Sequence, residues 1–135
     1  MYELESRING LEMTEKELEQ RLKPLGFDMG GNWEYDHGYM DYKMDEDDDH
    51  GYQFLRIPFF ATEGEVGSDK TKVVLGTPFL LSHRYEAGIA EEANPVFSAL
   101  WNQFASPEEK DAYVEDQYVQ EGKNLIREVE QALLV

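Results

Sequence analysis

The chain has 135 residues, a length that suits one domain with a single hydrophobic core. It has no cysteine, which excludes disulfides and thiolate metal sites, and its apolar runs are too short to span a bilayer. Its 29 acidic and 12 basic residues give a net charge of −17, which would repel nucleic acid and anionic membrane surfaces. We therefore expect a cytoplasmic protein that binds neither.

The N-terminal part predicts a strand, a turn and a helix. Apolar and polar residues alternate over residues 2–8, which is typical of a strand, and Asn9-Gly10 indicates a turn. Thr14 is followed three residues later by Glu17, the spacing of a capping box at the start of a helix. The helix is expected to end at the proline and glycine of residues 24–26.

The sequence DHGY at residues 36–39 predicts a hairpin with a two-residue turn, because Gly38, and His37 more readily than most residues, accept the positive φ of such turns. Pairing outward from this turn gives an apolar face and a polar face. The apolar pairs are Tyr35 with Met40, Trp33 with Tyr42 and Gly31 with Met44, and the polar pairs are Glu34 with Asp41 and Asn32 with Lys43.

Residues 45–51 predict an acidic loop that ends in a second DHGY turn. The following stretch, YQFLRIPFF at residues 52–60, is apolar on both faces and predicts a central strand, whose register against the preceding strand is ambiguous by one residue. Further strands are predicted from KVVL at 72–75 and from FLLSHRYE at 79–86, with a break between them.

The C-terminal part predicts helical structure. Asn94-Pro95 opens a short helix or an irregular packed segment, and Ser106 begins a second capping box. An amphipathic helix, with a break expected near Asp116, ends the chain. Its apolar stripe consists of Tyr118, Gly122, Leu125, Val129 and Leu133. The predicted fold is α+β: one antiparallel sheet of five to seven strands in a single domain, with an N-terminal helix and a long C-terminal helix on one face.

The acidic run does not match a known metal-binding loop. A calcium-binding EF-hand loop that started at Asp45 would need glycine at its sixth position and glutamate at its twelfth, where the chain has His50 and Arg56. A zinc site is not indicated either, because the three histidines are far apart along the chain. No cofactor is predicted.

The predicted hairpin places like charges opposite each other. Glu34 would face Asp41 across the strands, with Asp36 two residues away on the same face. Opposed carboxylates destabilise a strand pair unless another group compensates. Arg56, a divalent cation, a basic partner or water could do so, which makes these three carboxylates candidates for binding and for a metal.

Two further groups are candidates for binding. His83 alternates in phase with Phe79 and Leu81, so we expect it to face the core or a pocket, with Ser82 on the opposite side. Aromatic residues, among them Trp33 and Tyr42, could line a ligand pocket with His83 and Phe54. No residue is marked as catalytic.

Three long phrases, RLKPLGFDMGGNWEYDHGYMDYK, GYQFLRIPF and LGTPFLLSHRYE, resemble the YugN-like family of small proteins from spore-forming Gram-positive bacteria. The similarity covers most of the chain and is weakest at residues 45–49 and 62–72. It implies a bacterial cytoplasmic protein and brings no catalytic residues with it. It also suggests that the acidic run is a local addition.

Three functions are compatible with these observations, and the first is favoured. The protein could be a non-enzymatic acidic module that binds a basic peptide or protein, a domain with an aromatic pocket for a small molecule, or an enzyme that uses carboxylates and a divalent cation. A homodimer contact through the apolar edge of the hairpin or the stretch around Trp101 is left open.

Overall fold

The computed structural model describes residues 1–31, 33–47, 51–83, 114 and 116–134, with the backbone alone for residues 45–47, 51, 52 and 83. The predictions for Asn94-Pro95, Ser106 and Trp101 lie outside these ranges. Among the described residues, no helix is long and apolar enough to cross a membrane.

In the described part of the chain, seven antiparallel strands form one sheet, and two α-helices accompany it. The α+β class predicted from the sequence is therefore confirmed. The strands are β1 (Tyr2–Glu3), β2 (Glu12–Thr14), β3 (Asp28–Met29), β4 (His37–Asp47), β5 (Gly51–Glu63), β6 (Lys72–Leu75) and β7 (Phe79–His83), and the α-helices are α1 (Glu15–Leu22) and α2 (Asp116–Leu133).

The centre of the sheet is β5, as its apolar sequence predicts. One side of β5 pairs with β4 along most of its length. The other side pairs with β7 in its first half and with β6 in its second half. The outer strands β1, β2 and β3 then add to β7, β6 and β4 respectively. The register of β5 against β4, which the sequence left ambiguous by one residue, places Asp41 opposite Arg56.

The start and the end of α1 are those predicted. The Thr14 hydroxyl accepts a hydrogen bond from the Glu17 backbone N–H at 3.1 Å, which satisfies one of the free donors of the first turn. A short 3-10 turn, Lys23–Leu25, follows the helix, and Gly26 then reverses the chain with a φ of 105°. Side chains with a Cβ rarely adopt this φ, so glycine is suited to the position.

Helix α2 covers one face of the sheet. A Cβ added at Gly122 would lie 2.9 Å from Leu80 and 3.2 Å from Leu4, so the absence of a side chain there lets the helix approach β7 closely. The predicted apolar stripe of α2 faces the core, and Val119 and Ile126 are buried as well. The break that the sequence predicts near Asp116 adjoins residues outside the described ranges and stays a prediction.

The predicted DHGY hairpin is wrong. His37, Gly38 and Tyr39 lie inside β4, and the strand beside β4 is β3, with Asp28 opposite Asp41. The glycine is required for packing rather than for a turn: a Cβ at Gly38 would lie 2.7 Å from the Phe59 ring. The pairs derived from the turn between described residues, including Glu34 with Asp41, are therefore incorrect. The predicted pair of Asn32 with Lys43 involves a residue outside the described ranges.

Two other predictions need correction. The acidic loop is shorter than expected, because β4 continues to Asp47 and β5 begins at Gly51, and residues 48–50 lie outside the described ranges. In β7 the fully buried face carries Leu80 and Ser82, whereas Phe79 and Leu81 are only half-buried. The alternation of large apolar residues in β7 therefore predicted the wrong face of the strand as the buried one.

Candidate functional site

The connection between β3 and β4 is tied by backbone hydrogen bonds to the end of β5 and to the β5–β6 loop. The Ala61 N–H donates to the Asp36 carbonyl at 2.9 Å, and the Val66 N–H donates to the Tyr35 carbonyl at 2.8 Å. A third bond, from the Glu34 N–H to the His37 carbonyl, closes a tight bend. These bonds hold the connection beside β5 and the β5–β6 loop.

Three large aromatic side chains are exposed in this region. Trp33 is 48% exposed, Tyr35 is 67% exposed and Phe60 is 49% exposed. Trp33 lies beside the β5–β6 loop, since a Cβ added at Gly67 would be 4.0 Å from its ring. The ring of His37 joins this group at 6.3 Å from the ring of Phe60. Large exposed rings in one region are unusual on a protein surface and often mark an interaction site.

Carboxylates lie next to these aromatic residues along the chain. Glu34 and Asp36 lie between them in sequence, and Glu65 precedes the residue that bonds to Tyr35; all three are exposed. The Asp36 carboxylate lies 2.8 Å from Nδ1 of His37. We call Trp33, Glu34, Tyr35, Asp36, Phe60 and Glu65 the aromatic–acidic patch.

Asp41 belongs to a different arrangement on the sheet face away from the helices. Arg56 donates to both of its carboxylate oxygens, from Nε at 2.8 Å and from a terminal nitrogen at 2.9 Å. The guanidinium carbon of Arg56 also lies 4.6 Å from the centre of the Tyr39 ring. This two-point ion pair, stacked on an aromatic ring, is the internal compensation that the sequence suggested for Asp41.

A buried carboxylate binds the β5–β6 loop beside the patch. Glu15, the first residue of α1, is only 2% exposed, and both of its oxygens accept from the Gly67 N–H at 3.0 Å. Its own N–H donates to the Thr71 carbonyl at 2.8 Å. Burial raises the pKa of Glu15 above its ordinary value of 4.5, and the hydrogen bond from Gly67 opposes part of that rise.

No pattern in the sequence indicates the role of Glu15. A glutamate in the first turn of a helix is ordinarily an exposed residue that favours the helix dipole. Here the β5–β6 loop folds over it. That loop lies far from α1 along the chain, so no local sequence pattern relates the two.

The predicted aromatic pocket is not assembled among the described residues. The Tyr42 ring packs on the helix side of the sheet, 5.4 Å from the ring of Phe27. Phe54 pairs with Lys43 and Leu81 and therefore projects to the opposite face. Trp33 lies near Gly67, and the backbone of His83 ends β7 opposite Tyr52.

The metal candidates Glu34, Asp36 and Asp41 are likewise not brought together. Glu34 and Asp36 lie in the connection before β4, while Asp41 is held by Arg56. Within the ranges that the structure describes, no three histidine, aspartate or glutamate side chains are close enough to hold a metal ion.

Comparisons with known proteins agree with one another. A family model described as the YugN-like family matches residues 3–133. The chain is 42% identical to the uncharacterized protein YugN of Bacillus subtilis strain 168 over 135 residues, which is 99% of each chain. It is 31% identical to the uncharacterized protein YlbA of the same organism over 85 residues, covering 63% of this chain and 69% of YlbA.

A solved structure shares the fold. The crystal structure of the uncharacterized conserved protein YugN from Geobacillus kaustophilus HTA426 matches with a TM-score of 0.73 over 98% of this chain and 95% of that one. The two sequences are 20% identical across this match, so the similarity concerns the fold alone.

Proposed function

The chain belongs to the YugN-like family, and we propose that it is a non-enzymatic binding module whose aromatic–acidic patch takes a basic segment of a protein or peptide. The observation that carries this proposal is the exposure of Trp33, Tyr35 and Phe60 beside carboxylates at one end of the sheet.

The aromatic rings supply contact area that a binding partner can bury. Tryptophan and tyrosine are enriched among the residues that dominate binding energy, because they bury a large area with few rotatable bonds. Trp33 and Tyr35 are held by a connection that is hydrogen-bonded to Ala61 and Val66, so their backbone is fixed before any partner arrives.

The negative charge of the chain favours a positively charged partner. A net charge of −17 attracts basic segments over long distances, and Glu34, Asp36 and Glu65 provide carboxylates at the patch itself. Lysine and arginine side chains can also lie over aromatic faces, as Arg56 already does over Tyr39 within this molecule. A basic segment would therefore use both the rings and the carboxylates.

The other two functions have less support. A divalent-cation enzyme built on Asp41 would have to displace Arg56 from both carboxylate oxygens. A small-molecule pocket made by Tyr42, Phe54, Trp33 and His83 would need residues that lie on different faces or at different ends of the sheet.

The test must separate the patch from bulk negative charge. The probe is a fluorescein-labelled octapeptide of alternating lysine and leucine, with an octapeptide of alternating glutamate and leucine as the reverse-charge control. Binding is measured by fluorescence anisotropy at several salt concentrations. The double variant Trp33→Ala/Phe60→Ala keeps the net charge, and we expect it to bind the basic peptide at least about tenfold more weakly.

The matched control is Tyr2→Ala, which removes an aromatic ring that is 42% exposed outside the patch. It should bind the basic peptide as tightly as the unmodified chain does. If the basic peptide bound all three proteins with equal affinity, its binding would depend only on overall charge. The proposal would then be abandoned. Absence of binding at low salt would have the same consequence.

A further inference from the structure

A second concave surface lies between the N-terminal segment and α2. It is a cleft of about 460 Å³, within the range of small-molecule sites. Leu4 and Ile126, both buried, contribute apolar surface to it, and the partly exposed ring of Tyr2 also lines it. The aromatic–acidic patch shares no residue with this cleft.

The N-terminal wall of the cleft carries carboxylates, and the α2 wall carries two basic side chains together with one carboxylate. Glu3 and Glu5 come from the N-terminal segment, and Lys123 and Arg127 come from α2. Within the described ranges none of these four side chains forms an ion pair. Arg127 donates a hydrogen bond to Asn124 at 3.2 Å, and among the described residues its other donors have no acceptor. The cleft thus presents unpaired cations opposite unpaired carboxylates.

A third carboxylate, Glu130, is already fixed in position. Its Oε2 accepts hydrogen bonds from the Ser6 hydroxyl at 2.9 Å and from the Arg7 N–H at 3.1 Å. These bonds hold the carboxylate against the cleft and leave Oε1 able to accept from a ligand. A preorganised acceptor costs less entropy on binding than a mobile one.

We propose that this cleft binds a small zwitterion of the free α-amino acid class with an aliphatic side chain. The ligand's ammonium group would donate to Glu130 and the N-terminal carboxylates, and its carboxylate would accept from Lys123 and Arg127. Its side chain would contact Leu4 and Ile126. An anion alone would meet the three glutamates, and a cation alone would meet the two basic groups, so only a ligand with both charges is favoured on both walls.

The experiment uses the full chain and L-leucine as the probe, followed by amide chemical shifts in NMR at constant ionic strength. N-acetyl-L-leucine lacks the ammonium charge, and L-leucinamide lacks the carboxylate. We expect saturable shifts near Leu4, Ile126 and Glu130 with L-leucine, and binding of each derivative that is weaker by about tenfold or more, since each loses charge-assisted hydrogen bonds.

A pair of variants tests the basic wall. Arg127→Gln should weaken L-leucine binding by about tenfold, whereas Lys16→Gln, which removes an exposed cation of α1, should not change it. Both positions are exposed, so both variants are expected to fold. The double variant Trp33→Ala/Phe60→Ala should bind L-leucine normally, because this cleft does not depend on the proposed peptide site.

Three results would overturn the proposal: no saturable binding of L-leucine, equal binding of either derivative, or unchanged binding by Arg127→Gln. Equal binding of N-acetyl-L-leucine would identify a simple anion site, and equal binding of L-leucinamide would identify a simple cation site.

Discussion

Successive residues of β5 meet two different environments. Leu55, Ile57 and Phe59 are fully buried on the face that α2 covers, whereas Arg56 is half-buried and Phe60 is exposed on the other face. The buried face is held by apolar contacts that fill space, and the other face is held by an ion pair and a stacked ring. The first arrangement specifies the fold, and the second leaves polar and aromatic groups accessible for binding.

The largest effect on stability is expected when two adjacent phenylalanines on opposite faces of β5 are each replaced by alanine. Phe59→Ala removes a fully buried ring and should lower the free energy of unfolding by about 3–5 kcal/mol, the cost of the lost burial and the cavity that remains. Phe60→Ala truncates an exposed ring and should cost about 0.5 kcal/mol or less. Urea denaturation of both variants measures the difference. Similar losses would show that the second face is also part of the core.

A smaller effect is expected at the ion pair. Asp41→Asn removes the carboxylate charge that the half-buried Arg56 contacts at two points and should cost about 1–3 kcal/mol. Asp28→Asn, at the exposed position opposite Asp41 on β3, is the control and should change little or stabilise slightly, because it relieves like-charge repulsion. A double-mutant cycle of Asp41→Asn with Arg56→Gln, followed by urea denaturation, isolates the pair. A coupling energy near zero would contradict this account.

The smallest effect is expected at Glu15 and depends on pH. Because burial raises the pKa of Glu15, its contribution to stability is greatest below the ordinary value of 4.5 and is lost as pH rises through the higher folded value. The unmodified chain should therefore gain stability relative to Glu15→Gln as pH falls from 7 towards 4. Glu17→Gln, at an exposed position of α1, gives the baseline for removing one negative charge. A stability difference between the unmodified chain and Glu15→Gln that stays constant with pH would contradict the raised pKa.

The features predicted correctly from the sequence depend on short-range patterns. Thr14 and Glu17 lie within one turn, so the start of α1 could be read directly from their spacing. The apolar stripe of α2 repeats at the helical period, and its residues are buried except Leu125, which is half-buried against the core. The continuous apolar run of β5 likewise predicted a strand with neighbours on both sides.

The wrong predictions arose where a distant residue decides the local structure. Gly38 was interpreted as a turn residue, but it is needed because the Phe59 ring from the next strand occupies the space of a side chain. The pairing of Asp41 with Arg56 was anticipated from opposite charges on neighbouring strands, although the strand on the other side of β4 was misidentified. The aromatic–acidic patch could not be predicted as a unit, since Phe60 joins it only through the true register of β4 and β5.

The central position of β5 also bears on the order in which the chain assembles. The pairing of β4 with β5 joins residues that are near in sequence, so its loop-closure entropy is small. By contrast, β1 pairs with β7, and Ser6 bonds to Glu130 across 124 positions of the chain. Such distant contacts slow folding, because the entropy of closing a long loop is lost before the contact is made. We therefore expect the β4–β5 pair to form early in folding and α2 to dock against the N-terminal segment late.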